Sequence, residues 1–278
     1  MCTPGVKHYA LQARFVDAAS AVFGVVAGVE QDSLLNASGY GCLEESTQAS
    51  FSPLNLDRAK FEARLFRLQR SLLPVYSCNV FLPGSLKLVG PGVQEDAVLA
   101  YADSVFRRAK TAGLSIVVLG SGEARRIPKG FDSATARRQF VGLVRHMGQL
   151  AAVQGIVLAM ENLNRGETNF GNSLAEVTSL IREINHPAVK VTADLYHMLK
   201  EDESPQAILD AGELLVHGHI AEERERARPG RYGEDFRPYF KALQRIGFRG
   251  KIMLECRWED MPKEAPLALQ YLAAQWAQ

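Results

Sequence analysis

The chain has 278 residues, is 47% hydrophobic and 23% charged, and carries a formal net charge of +1. Acids and bases are interspersed, so no basic stripe marks a nucleic-acid surface, and no apolar run is long enough to span a membrane. One large core is within reach of this length, and α/β barrels commonly occupy about 250 residues as a single domain.

In chain order, Met1–Phe15 shows no clear period and is expected to form an N-terminal arm across the bottom of the domain. The apolar run from Ala18 to Val29 is approached by Asp17 and lacks an A-x-A site before Glu30, so it reads as a first strand over 21–28 and not as a secretory leader. A very short helix around Gln31–Ser38 follows. Further strand-like runs lie at 40–46, 74–81, 114–120, 155–162, 189–195, 214–221 and 250–256. Between and after them, helical patterns cover Arg58–Leu72, Glu95–Ala112, Ala134–Val153, Ser173–Ile184, Asp235–Ile246 and Ala265–Trp276. Phe61, Leu65, Leu68 and Leu72 share one face of the first of these. Ser133 and Ser173 are placed to cap helix starts, and Gly113, Gly247 and Gly250 to end helices. Eight βα units without a linker predict a (β/α)8 TIM barrel formed by residues 1–278 as one domain, with its active site at the carboxyl ends of the strands.

Four of those strand ends carry ligand-type residues: Glu161 after IVLAM, Asp194 after VKVTA, His219 in HGHIAE and Glu255 after KIML. An unpaired carboxylate so close to a core is costly, and a cation relieves the cost. Three carboxylates and one imidazole converging at equivalent strand ends make a metal site. This hard, oxygen-rich set suits one divalent ion, Mn²⁺ first and Mg²⁺, Co²⁺ or Zn²⁺ after it. His217 lies two residues before His219 on the same strand face and reads as a packed, hydrogen-bonded histidine. His197, three residues after Asp194, has three readings: metal ligand, cap or substrate contact, with substrate contact ranked first because four ligands already form a set. The four cysteines form no CxxC pair. Cys42, Cys78 and Cys256 sit in or beside apolar runs, which fits a reducing, cytoplasmic setting.

The stretches MENLNR at Glu161, ADLYHM at Asp194, HGHIAE at His219, the RxxPG of Arg226–Gly230, ALQRIGFRGKIMLE ending at Glu255, and GSGEARR after the fourth strand resemble the xylose isomerase-like barrel superfamily of sugar isomerases and epimerases. The ketose 3-epimerases are the nearest in pattern. This resemblance implies that Glu161, Asp194, His219 and Glu255 hold one divalent metal, and that Glu161 and Glu255 also form an acid/base pair. It further implies that His197 and Arg226 orient a sugar substrate, with Glu222 either touching substrate or supporting the site. Counting back from Pro229 selects Arg226, while Arg224 stays open because EERERAR is offset from the family spacing.

A hard cation at such a site polarises a ketose carbonyl and acidifies the adjacent C–H, and two glutamates then move the proton through an enediolate. An inosose dehydratase-type lyase or a hydroxypyruvate isomerase would use a similar ligand set. An abasic-site endonuclease needs further histidines at the second, third and fourth strand ends, where this chain offers Glu44/Glu45, Asn79 and Gly120–Gly122. No GxGxxG follows a strand, so no nicotinamide cofactor is expected. GSGEARR reads as turn chemistry with solvated arginines ahead of a phosphate cradle. The expected partner is a small-molecule sugar, without nucleic acid or membrane, on a chain that can form a homo-oligomer.

Overall fold

A computed structural model of the chain describes residues 22–278. Eight strands form a closed, all-parallel barrel in sequence order: β1 (Phe23–Val26), β2 (Leu43–Ser46), β3 (Val75–Asn79), β4 (Ile116–Leu119), β5 (Val157–Glu161), β6 (Val189–Asp194), β7 (Leu215–Ile220) and β8 (Lys251–Leu254). Closure is direct, with Phe23 opposite Ile252 and Val25 opposite Leu254. Every expected strand is found, shortened at its ends because register pairs only the central residues. The expected arm over Met1–Phe15 lies outside the described residues.

Local chemistry explains the boundaries of the surrounding helices. Helix Arg58–Leu68 starts where the Asp57 carboxylate accepts the Lys60 N–H. It stops short of Leu72, whose N–H is taken by Asp32 Oδ2 at 2.9 Å, and Leu72 is consequently exposed. Helix Ser133–Gln154 is capped by Asp132 and not by Ser133, since the Asp132 side chain accepts the Thr135 N–H. Ser173 does cap Leu174–Ile184. Gly113 and Gly247 adopt positive φ after their helices. Gly250 serves another need: an added Cβ would overlap the carbonyl of Val216, so this glycine permits the approach of β8 to β7.

The main core lies between strands and helices, where Phe23, Phe240 and Trp276 pack edge-on and tilted at centroid distances of 5.2–5.9 Å. The barrel interior is different. Ile116, Val118 and Ala159 form a small apolar layer, and above it lie buried polar groups: Glu44, Ser77, His217 and His219. Alternation along β7 turns His217 and His219 inward together. An interior that changes from apolar to polar toward the strand ends is a site-bearing interior.

Candidate metal centre

Glu161 closes β5, Asp194 closes β6, His219 is the penultimate residue of β7, and Glu255 follows β8 directly. Ligand atoms from all four lie within 4.8 Å of one another. His219 Nδ1 is the hub, 2.6 Å from Glu161 Oε1, 3.5 Å from Glu255 Oε2 and 3.9 Å from Asp194 Oδ2. Glu161, Asp194 and His219 are buried, and Glu255 is partly open at the mouth.

Each ligand is held by its surroundings. Asp194 divides its carboxylate. Oδ1 accepts the N–H groups of Tyr196 and His197, capping helix Leu195–Lys200, while Oδ2 is buried with no hydrogen-bond partner. Asn162 pins the backbone on both sides of Asp194, accepting the Asp194 N–H and donating to the Asp194 carbonyl. Gly120 stands beside Glu161, where an added Cβ would overlap Oε2. Arg125 is fully buried and donates to the Glu161 carbonyl at 2.8 Å; burial pushes its guanidinium down to about 10. The expectation of solvated arginines in GSGEARR therefore fails for Arg125. Arg126 is bound to Glu123 and to the Glu167 carbonyl. Asn79, closing β3, donates to Glu255 Oε1 at 2.8 Å.

The three residues expected at the substrate fare differently. His197 Nδ1 receives the backbone N–H of Asn164, so Nδ1 is the acceptor and Nε2 carries the proton. Nε2 has no hydrogen-bond partner and lies 3.5 Å from Asp194 Oδ2 and 3.9 Å from Glu167 Oε1. Arg226 enters the site, held by the Glu255 carbonyl at 3.0 Å, the Glu255 carboxylate and Glu167 Oε1 at 3.2 Å, over the ring of Tyr196. Arg224 instead turns outward and stacks on Tyr232, 4.1 Å from the ring centroid. A pair of left-handed residues, Glu225 and Arg226, makes the reversal that separates the two arginines.

Of the two readings of Glu222, substrate contact or support of the site, its hydrogen bonds match support. Its oxygens accept four backbone N–H groups, from Gly230 (2.7 Å), Tyr232 (2.6 Å), Gly233 (3.1 Å) and Glu234 (3.2 Å). Three of these donors fall on Oε1 and one on Oε2 of a buried side chain, so Glu222 anchors the loop behind Arg226. Glu167 lies beside His197 and Arg226 at the mouth. No sequence signal marked it, because it lies in a loop without periodicity, six residues past Glu161.

Charge balance favours a cation. Burial, with Glu255 and Asp194 adding to it, raises Glu161 to about 8, against the opposing pull of His219. Burial also raises Glu255, although His219 and Arg226 oppose it. For Asp194 the burial effect is overcome by His197, Arg226 and His219, and its pKa falls. Burial would lower His219, but Glu44, Glu161 and Glu255 raise it well above the usual histidine range. His197 is lowered by burial. Glu161 is thus held up first by burial and then by its two neighbouring acids, and His219 does not cancel the rise. With the orphaned Asp194 Oδ2, this is a donor set that a divalent cation fits.

The model of the xylose isomerase-like TIM barrel family matches residues 33–275. The chain belongs to this family. Its matched relatives include an L-ribulose 3-epimerase from Methylomonas sp. (strain DH-1), 30% identical over 197 residues and 68% of each chain. A D-psicose 3-epimerase from Enterocloster bolteae is 31% identical over 226 residues, 80% of this chain and 74% of that one. A crystal structure of D-psicose 3-epimerase from Clostridium cellulolyticum H10 with D-tagatose superposes with a TM-score of 0.79 over 92% of this chain and 99% of that one. At 20% identity that likeness shows the shared fold. The curated relatives are epimerases, and this family member is an enzyme of the isomerase class.

Proposed function

We propose that this barrel is a divalent metal-dependent epimerase acting on a ketose or a related polyol, with Glu161 and Glu255 as the acid/base pair. The observation that carries the proposal is the meeting of these two carboxylates with Asp194 and His219 within 4.8 Å at one mouth of the barrel. A divalent cation held by these four residues, Mn²⁺ being the best match to the donor set, supplies Lewis acidity toward a ketose carbonyl. Glu161 accepts the proton from the carbon beside that carbonyl, leaving the planar enediolate of the substrate. Glu255, oriented by Asn79 and Arg226, delivers a proton to the opposite face, and the two exchange roles in the reverse direction. His197 Nε2–H donates to a substrate oxygen from a neutral ring, and Arg226 and Glu167 fix neighbouring hydroxyls.

The endonuclease reading lacks its histidines, since β2 carries Glu44 and Glu45, β3 ends in Asn79 and β4 is followed by Gly120. Among the described residues no helix is long and apolar enough to cross a membrane, and Cys42, Cys78 and Cys256 are free thiols, in keeping with a cytoplasmic enzyme. The deciding assay supplies Mn²⁺-loaded protein in deuterated water with D-psicose, L-ribulose, a 3-dehydro glycoside, an inosose and hydroxypyruvate. The expected result is an epimer carrying deuterium at the carbon beside the carbonyl, formed without nicotinamide. Dehydration of the inosose, or turnover of hydroxypyruvate alone, would replace this reading by a lyase or an aldose–ketose isomerase.

A further inference from the structure

We propose that Glu44 is the positioning residue that makes His219 a metal ligand through Nδ1. The inference rests on the metal reading above. Glu44 belongs to β2 and His219 to β7, strands that are not neighbours in the closed barrel, so their contact runs across the barrel interior. Glu44 Oε1 lies 2.7 Å from His219 Nε2. Its other oxygen, Oε2, lies 2.7 Å from His217 Nε2 and accepts the Ser77 hydroxyl at 2.5 Å. All four side chains are buried.

A carboxylate only accepts hydrogen bonds, so the nitrogen facing it must carry the proton. Nδ1 likewise faces Glu161 Oε1 at 2.6 Å in the metal-free protein, and the proton shared there is the one a cation would displace, while Nε2–H stays committed to Glu44. Nδ1 also faces Glu255 and Asp194. A carboxylate behind a ligating imidazole orients the ring and strengthens its donor nitrogen. Ser77 and His217 grip the second oxygen, which stops the Glu44 carboxylate from rotating away. His217 thereby acts on Glu44 and not on the metal, and it is stacked on Tyr76 at 6.0 Å.

Glu44, His217 and His219 are themselves a trio whose ligand atoms lie close enough to hold an ion. That trio, however, offers one carboxylate where the Nδ1 side of His219 faces three, so the hard, oxygen-rich donor set lies at Nδ1. The number of ions bound separates the two arrangements.

The test titrates Mn²⁺ into the parent, Glu44→Gln and His217→Gln, with circular dichroism checking the fold of each. The expected outcome is one ion per parent chain, about 10- to 100-fold weaker binding in Glu44→Gln, and a change of only a few-fold in His217→Gln, which keeps the Glu44–His219 bond. A second measurement needs no variant: ¹⁵N NMR of the Zn²⁺-loaded parent should show His219 bound through Nδ1 and protonated at Nε2. This measurement decides alone if Glu44→Gln does not fold. Folded Glu44→Gln binding Mn²⁺ within twofold of the parent, equal losses in both variants, zinc on Nε2 or two ions per chain would each overturn the assignment. A parent that takes up no ion would overturn the metal reading itself, whereas the other outcomes leave that reading in place.

Discussion

The two halves of the barrel divide the labour at its mouth. β5 to β8 supply all four metal-ligand candidates, one from each strand end. β1 to β4 supply no member of that set. They contribute groups that act on it: Glu44 behind His219, Asn79 on Glu255, Gly120 beside Glu161, and Arg125 on the Glu161 carbonyl. The difference teaches where chemistry shows in a sequence. A ligand must be an acid or a histidine at a strand end, whereas a supporting group can be an amide, a guanidinium or a missing Cβ.

The comparison is broken most directly on the ligand side. Glu161→Gln and Glu255→Gln keep side-chain volume but remove the carboxylate, so each should cut turnover by at least about 10²–10⁴-fold with the fold intact by circular dichroism. Either variant retaining activity within a few-fold of the parent would remove that residue from proton transfer. Asp194→Asn should lose tight Mn²⁺ uptake, read by elemental analysis after reconstitution, because Oδ2 is the buried oxygen without another partner.

The supporting half is tested by Gly120→Ala. The new methyl would collide with Glu161 Oε2 and displace it. A displacement near 1 Å can cost about 10²-fold, so kcat should fall about 10- to 100-fold while the melting temperature moves little. Unchanged kcat would show that the carboxylate accommodates the methyl and that β4 has no hold on it.

Metal uptake should depend on pH through the same acid. In the metal-free protein Glu161 is raised to about 8, so below that pH a proton must leave before the carboxylate can bind a cation. Apparent Mn²⁺ affinity should therefore rise about tenfold per pH unit toward 8 from this group and flatten above it, as read by calorimetric titration. The linked stability runs the other way without metal. An acid whose folded pKa is raised stabilises the fold fully below its unfolded value and loses that contribution as pH climbs through the folded one. Metal-free protein should thus lose part of its stability between about pH 4.5 and 8, and Mn²⁺ should restore it.

Glu222→Gln should have the smallest effect at the metal. It replaces an acceptor of four backbone N–H groups by an amide with one accepting end, costing about 1–3 kcal/mol in denaturant unfolding. Mn²⁺ affinity should stay within a few-fold of the parent. A selective loss of sugar binding at unchanged stability would return Glu222 to the substrate.

The sequence by itself determined the barrel and the ligand candidates, because both rest on local signals. Eight short strand-like runs are interleaved with amphipathic ones, and acids directly after apolar runs are conspicuous. Counting from Pro229 was enough to favour Arg226 over Arg224. Three things waited for the tertiary structure. Glu222, placed after His219, had two readings in the sequence, and only the backbone donors from 230 to 234 that fold back onto it mark it as a loop anchor. Arg125 looked solvated until Glu161 and its neighbours closed over it. Glu44, Asn79 and Glu167 gained their roles only when distant strands and loops met: Glu44 on His219 175 residues on, Asn79 on Glu255 176 residues on and Glu167 on Arg226 59 residues on. Periodicity reports which way a side chain faces within its own element. What it meets there is decided by barrel closure, which brings groups distant in sequence within hydrogen-bonding distance.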